Sequence, residues 1–243
     1  MPAERYESTI ERIHEWTPRT RSLFLRTADR ARMAFRAGQF ISLELPVGDR
    51  PPLVRPYSIA SDPDDELIEL CIDLVPCGLG SRYLFSLAVG DRLPFKGPFG
   101  SLTVDVPPPA ESVFIAGGTG IAPLRAIVRR MLADGNARGA HGGHPVHVLQ
   151  SAAVEEDLLF RDELGVLARE HARCTWEPVL EGADAAPGEH PRLEQLVLER
   201  YVHGDTDRTR HFCICAVGDV VRRLREALRG AGYERRAVRY EQW

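Results

Sequence analysis

The apolar positions of this chain change their rhythm part-way along. Up to about Val104 the runs are short and broken by turn residues: Leu23-Phe24-Leu25, Phe40-Ile41-Ser42-Leu43-Glu44-Leu45, Ile59-Ala60 and Leu67-Ile68-Glu69-Leu70-Cys71-Ile72. Such runs predict an antiparallel β-barrel, with one short helix around Ser81 to Leu87. Pro107-Pro108-Pro109 then interrupts the pattern. Proline has no amide to donate and disfavours helix in the residue before it, so the tripeptide reads as a linker. Beyond it strands alternate with longer helical patterns: strand 112–116, helix 120–133, strand 145–150, helix 156–170, strand 174–180, helix 192–202, strand 211–217, helix 219–230 and strand 236–242. That alternation predicts a parallel sheet covered by helices on both faces. The expected organisation is a barrel domain over 1–106 and an α/β domain over 110–243, with a surface loop from Gly135 to Pro145.

One strand-to-helix junction carries a candidate site. Ser112-Val113-Phe114-Ile115-Ala116 is rich in strand formers, and apolar residues recur at helical spacing from Ile121 to Leu132. Between them lies Gly117-Gly118-Thr119-Gly120-Ile121-Ala122-Pro123. With no side chains at 117, 118 and 120, a phosphate can approach the backbone, and the amides of a helix's first turn favour its charge. Gly118-x-Gly120 begins like a dinucleotide fingerprint, but Pro123 stands where a third glycine would be. Proline suits a first helical turn, where its missing N–H costs little.

A second stretch, Arg55-Pro56-Tyr57-Ser58, offers a cation, an aromatic face and a hydroxyl within four residues. Strand alternation sends Arg55 and Tyr57 to one face and Ser58 to the other, unless the segment twists. Gly78-Leu79-Gly80-Ser81 precedes Arg82-Tyr83-Leu84-Phe85, so Ser81 is placed to cap a short helix. Gly97-Pro98-Phe99-Gly100 reads by itself as a turn between barrel strands. Together these stretches suggest a flavin held near a nicotinamide.

Composition narrows the field. The 243 residues, 44% of them hydrophobic, suffice for one or two ordinary cores. A net charge of −4 argues against a nucleic-acid partner. No apolar run approaches the roughly 20 residues that span a bilayer, and Met1-Pro2-Ala3-Glu4-Arg5 leads into no signal-peptide core, so a cytoplasmic protein without a membrane span is expected. The five cysteines are odd in number and lack iron–sulfur cluster spacing, which suits reduced thiols. His141, His144 and His147 lie near one another with no carboxylate completing a metal site, so none is expected.

The order Arg55-x-Tyr57-Ser58, Gly78-Leu79-Gly80-Ser81, Gly97-Pro98-Phe99-Gly100, Gly117-Gly118-Thr119-Gly120-Ile121-Ala122-Pro123 resembles the ferredoxin–NADP reductase family across essentially the whole chain. Cys213-Ile214-Cys215-Ala216-Val217-Gly218-Asp219 and the closing Glu241-Gln242-Trp243 extend the likeness to the C-terminus. The resemblance implies FAD rather than FMN in the barrel and NAD(P)H on the α/β domain. It implies that Arg55 pairs with the flavin's phosphate, Tyr57 packs on the isoalloxazine, Ser58 hydrogen-bonds N5 and residues 78–81 cradle the pyrophosphate. It places Cys215 near the reacting nicotinamide carbon, Glu241 in charge or proton movement, and Trp243 as a lid over the flavin. Ala216 departs from the family's Cys-Gly, and Gln150-Ser151-Ala152-Ala153 lacks an arginine that many relatives carry.

Coenzyme choice turns on the adenosine ribose, where a 2′-phosphate needs cations and a 2′-hydroxyl suits a carboxylate. Glu181-Gly182, with Asp184 close behind, stands where NADPH-dependent relatives often have Ser-Arg, which favours NADH. Arg125, Arg161 and Arg192 are the cations that would oppose that reading. The resulting expectation is hydride transfer from NAD(P)H to FAD, followed by electron release to a separate ferredoxin, flavodoxin or oxygenase component. A free-flavin reductase and a noncatalytic flavin-binding electron-transfer subunit remain as alternatives.

Overall fold

A computed structural model of the chain describes residues 3–28, 33–48, 51–105, 108–137 and 143–242, with the side chains of 134–137 excepted. Two compact units emerge, Met1–Thr103 with Arg125–Ile127, and Val104–Leu124 with Val128–Trp243.

The described residues of the first unit form seven strands, β1 (Glu4–Tyr6), β2 (Ser8–Thr17), β3 (Thr20–Thr27), β4 (Phe40–Leu45), β5 (Leu53–Ser58), β6 (Ile68–Asp73) and β7 (Phe95–Phe99), with one helix, α1 (Leu79–Ser86). They form antiparallel sheets in the orders β1-β7-β4-β5 and β2-β3-β6. Isolated bridges, Ile59 to Leu70 and Thr9 to Arg92, join the sheets at both sides, so the assembly closes as a barrel. In β4 the alternation works as expected: Ile41, Leu43 and Leu45 are fully buried, and they share one core with Ile10, Leu23, Leu70 and Phe95. Strand β2 is harder to see in its sequence. Register shifts at Ile10/Arg12 and Glu15/Thr17 break its period, so that Ile10 and Ile13, an odd number of residues apart, both reach the core. Pro56 is tolerated because β5 is an edge of its sheet.

The described residues of the second unit form five parallel strands, β8 (Ser112–Gly117), β9 (Val146–Ala152), β10 (Cys174–Leu180), β11 (His211–Ala216) and β12 (Val238–Gln242). Their order is β10-β9-β8-β11-β12, so the winding reverses between β8 and β11. The helices are α2 (Ile121–Ala137), α3 (Arg161–Glu170), α4 (Pro191–Val197) and α5 (Val220–Gly230). Val113, Ile115, Phe212 and Ile214 face α4 and α5 through Leu193, Val197, Val221, Leu224 and Leu228. The alternate residues Phe114, Ala116, Cys213 and Cys215 are buried as well, as a sheet covered on both faces requires.

Two helices differ most from their sequence-based bounds. The segment expected to be helical from 156 begins as a tight turn at Glu155–Asp157, passes through Phe160 in a left-handed conformation (φ 57°), and becomes α3 only at Arg161. Leu158, Leu159 and Phe160 are all buried, and three consecutive side chains cannot share one helical stripe. The helix expected over 192–202 ends at Val197 and continues as a π turn from Leu198 to His203. Tyr201, in that turn, reaches the core and packs edge-on against Phe212 with ring centroids 5.4 Å apart.

Candidate functional site

In the first unit, Arg55, Pro56, Tyr57 and Ser58 all lie on β5, opposite Leu43, Ser42, Ile41 and Phe40 of β4. Arg55 and Pro56 are exposed, whereas Tyr57 and Ser58 are half-buried. The Tyr57 ring packs against the barrel core, and burial pushes its phenol up to about 12, with the Arg55 cation pulling the other way. The phenol is therefore neutral over the ordinary pH range. Among the described residues, Arg55 donates to the adjacent Val54 carbonyl at 2.9 Å and pairs with no carboxylate.

Gly78 precedes α1, and Leu79, Gly80 and Ser81 form its first turn. A Cβ on Gly80 would lie 3.1 Å from Leu45, 3.4 Å from Leu53 and 3.5 Å from the Cγ of Arg55. The bare backbone of this turn thus rests on the Arg55 stem, bringing two motifs 25 positions apart into one place. The expected capping role of Ser81 is corrected. Gly78 occupies the cap position without a side-chain bond, while Ser81 sits inside the helix. Its hydroxyl accepts from the Val75 N–H at 3.1 Å and donates to the Gly78 carbonyl at 3.3 Å, holding the preceding loop shut. Leu79 is exposed and offers apolar surface. Gly97-Pro98-Phe99-Gly100 is not simply a turn: residues 97–99 belong to β7, and Phe99 stacks on Phe40 at 5.6 Å.

In the second unit, Gly117 ends β8, residues 118–120 form a tight turn and Ile121, Ala122 and Pro123 open α2. The three glycines have different reasons to be there. Gly118 has φ +54° with nothing within 4 Å of a would-be Cβ, so it alone faces open space. A Cβ on Gly120 would fall 2.0 Å from the Cys215 carbonyl oxygen, and one on Gly117 2.4 Å from His190 Nε2. The expectation that all three are bare for a phosphate's sake is therefore corrected, since 117 and 120 are bare so that neighbouring protein can approach. That packing seats the turn on the end of β11, beside the switch point where open parallel sheets bind ligands. Glu241 joins them, because the register of β11 and β12 pairs Cys215 with Glu241. Cys215 is fully buried and Glu241 half-buried. Trp243 lies outside the described residues, as do Pro107 and His141.

Glu181 has a different place from the one its position suggested. It follows β10 and turns inward, accepting the backbone N–H groups of Arg192 at 2.7 Å and Leu193 at 3.0 Å and the Ser151 hydroxyl at 2.7 Å. Its carboxylate caps α4. The case for NADH as a carboxylate facing the ribose loses that carboxylate. Ser151 and His190 were not legible as site residues: their partners stand 30 and 39 positions away, and no local spacing marks them.

Comparison with known proteins is consistent with both halves. A sequence model for the oxidoreductase FAD-binding domain matches residues 8–104, and one for the oxidoreductase NAD-binding domain matches 114–223. A Sorangium cellulosum protein, ferredoxin–NADP reductase B, is 36% identical over 100% of this chain and 99% of its own length. The chain belongs to the ferredoxin–NADP(+) reductase-like family. The toluate 1,2-dioxygenase electron transfer component of Pseudomonas putida is 26% identical to this reductase over 98% of the chain, which spans 67% of that relative. The crystal structure of an Amycolatopsis cytochrome P450 reductase, GcoB, superposes with a TM-score of 0.82 at 26% identity, covering 99% of this reductase and 70% of that chain. As a family member the reductase is a flavin-dependent enzyme that binds FAD and uses NAD(P)H. Its residues fit both groups, since the Arg55 side chain is exposed beside the first turn of α1 and the Gly118 turn opens on space where a side chain would obstruct a phosphate. Among the described residues no helix is long and apolar enough to cross a membrane, and no group of three His, Cys, Asp or Glu side chains is placed for a metal.

Proposed function

We propose that the reductase passes a hydride from NAD(P)H to FAD and delivers the electrons to a separate protein acceptor: a ferredoxin, a flavodoxin or an oxygenase component. The observation that carries this reading is the meeting of the Gly117–Gly120 turn, Cys215 and Glu241 at the switch point of the parallel sheet. When bound, FAD supplies the redox chemistry, accepting two electrons together and releasing them singly. The chain's own groups bind and orient. Arg55 holds the flavin's phosphate beside residues Gly78 to Ser81, Tyr57 gives the isoalloxazine an apolar face, and Ser58 hydrogen-bonds N5. Gly117 to Pro123 hold the coenzyme's pyrophosphate, Cys215 borders the nicotinamide, and Glu241 moves a proton or balances charge at the site. Trp243 covers the flavin, and the domains run over 1–106 and 110–243.

One departure from the family pattern fits the catalytic reading. The Ala216 methyl is buried and packs 2.9 Å from where a Cβ on Gly117 would be, so it fills space beneath the turn rather than on its open side. The cradle at Gly80 suits a retained dinucleotide, which separates this reading from a free-flavin reductase. NADH is the coenzyme we propose, on grounds other than Glu181. Arg125 is buried, Arg161 pairs with Glu155 at 2.9 Å, and Arg192 donates to the Leu180 carbonyl at 2.8 Å, so a 2′-phosphate would have to draw a cation from a protein partner. An absorbance spectrum of the purified protein followed by anaerobic titration with NADH and NADPH tests all of this. Bound yellow flavin that bleaches with NADH at the lower concentration is expected. Colourless protein, or bound flavin that neither coenzyme bleaches, overturns the reading.

A further inference from the structure

The carboxyl edge of the parallel sheet also holds a buried relay that the function above does not use. Ser151, completely buried near the end of β9, stands opposite Gly117 of β8 in the strand register. Its hydroxyl owns one proton. Glu181 Oε1, 2.7 Å away, accepts that proton as it accepts the Leu193 N–H. Ser151 Oγ must then be the acceptor in its 2.9 Å contact with His190 Nδ1. With hydrogen fixed on Nδ1, the neutral ring carries a bare lone pair at Nε2. Nε2 is the atom that a Cβ on Gly117 would strike at 2.4 Å. The imidazole is therefore wedged behind the residue that opens the glycine turn, with its tautomer set by a carboxylate two groups away.

We propose that His190 is a proton-linked positioning residue for the coenzyme: the neutral ring seats the glycine turn, and protonation at Nε2 adds a positive charge behind it that tightens its hold on the coenzyme's pyrophosphate. The inference rests on the reading of Gly117–Gly120 as the pyrophosphate site. The charged groups facing the ring are Glu181 at the end of β10 and Arg223 of α5, itself paired with Glu194 of α4 at 2.7 Å. From β8 and β11 come Gly117 and Ala216, which bring no charge. Burial pushes the imidazole below its usual range, Glu181 opposing and Arg223 adding to that effect. The free protein thus holds the ring neutral at pH 7, and an anionic ligand favours the extra proton. Each unit by which binding raises the ring's pKa is worth about tenfold in affinity at acid pH.

Calorimetric titration of the oxidised, FAD-loaded protein with NAD+ and with NADP+, from about pH 5.5 to about pH 8, reads this directly. The 2′-phosphate of NADP+ itself titrates within this range, so the difference between wild type and His190→Gln is what counts. Wild type is expected to bind about tenfold more tightly at the acid end relative to neutral pH, with proton uptake, while His190→Gln shows the shallower slope of the nucleotide alone. Equal slopes overturn the proposal. Should His190→Gln fail to fold, the His190 ring in wild-type protein is titrated by NMR with and without NAD+ and NADP+: a pKa raised by nucleotide supports the relay, and an unmoved one overturns it. If neither nucleotide binds wild type at any pH, the glycine turn is not the coenzyme site and the earlier reading falls with it.

Discussion

Gly120→Ala is the sharpest perturbation the second unit offers, because the added atom has nowhere to go. Its Cβ would lie 2.0 Å from the Cys215 carbonyl oxygen, 2.5 Å from the carbonyl carbon and 3.0 Å from the Ala216 nitrogen. All three are backbone atoms of a central strand, so relief must come from lifting the start of α2 off β11 by about an ångström, since side chains sit in close-packed surroundings. Overpacking of this kind costs typically 1–3 kcal/mol, and rigid backbone on both sides puts this case at about 3 kcal/mol. Gly118→Ala is the matched control. It meets nothing within 4 Å, and its φ of +54° costs an alanine only about 1 kcal/mol. For a unit of this size roughly 3 °C is lost per kcal/mol, so the melting transition of the second unit falls by about 9 °C in Gly120→Ala and about 3 °C in Gly118→Ala. Differential scanning calorimetry of the two variants and wild type, with NAD+ affinity measured alongside, decides the matter. Gly120→Ala is expected to lose stability and coenzyme affinity together. If it melts with wild type, or less far below it than Gly118→Ala, the argument that this turn is seated on the strand carbonyl is wrong.

Three further outcomes are expected. Gly80→Val places methyl groups against Leu45, Leu53 and the Arg55 stem, displacing the guanidinium at a cost of about 1–3 kcal/mol; after desalting, the flavin-to-protein ratio should drop well below wild type. Glu181→Gln removes the charge that accepts two backbone amides at the start of α4; stability to urea should fall by about 1–2 kcal/mol while the ratio of kcat/KM for NADH over NADPH stays as in wild type. Burial pushes the Cys213 thiol up to about 12 from an ordinary 9, so above pH 9 the unfolded chain loses a proton that the folded chain keeps. This thiol's contribution to stability is complete below pH 9 and drains away as pH rises towards 12, by at most about 1.4 kcal/mol per unit, and urea melts of wild type and Cys213→Ala should converge along that ramp.

How far the sequence carried depended on whether causes were local. The strands of the second unit were legible because Val113, Ile115, Phe212 and Ile214 on one face and Phe114, Ala116, Cys213 and Cys215 on the other are all apolar, as buried parallel strands must be, and the glycine-rich turn sits between unmistakable elements. The barrel's β2 was not, because two bulges reset a rhythm that its charged residues already obscured. Ser81 misled for a related reason: a serine near a helix start is ordinarily a cap, yet here Gly78 takes that place and the hydroxyl serves the loop behind it. The glycines at 117 and 120 were noticed for the right position and the wrong cause, since what presses on them comes from residues about 70 to 100 places further along. Glu181 shows the same limit, its acidity being visible in the sequence and its direction being set by α4.

That direction has a practical edge for anyone wishing to change the electron donor. The obvious exchange, an arginine or serine at 181 to welcome a phosphorylated ribose, would at the same stroke uncap α4 and strip the acceptor that fixes the Ser151 proton. A successful redesign would first move the capping duty to a position other than His190, whose ring lies against Gly117, and only then rework the pocket.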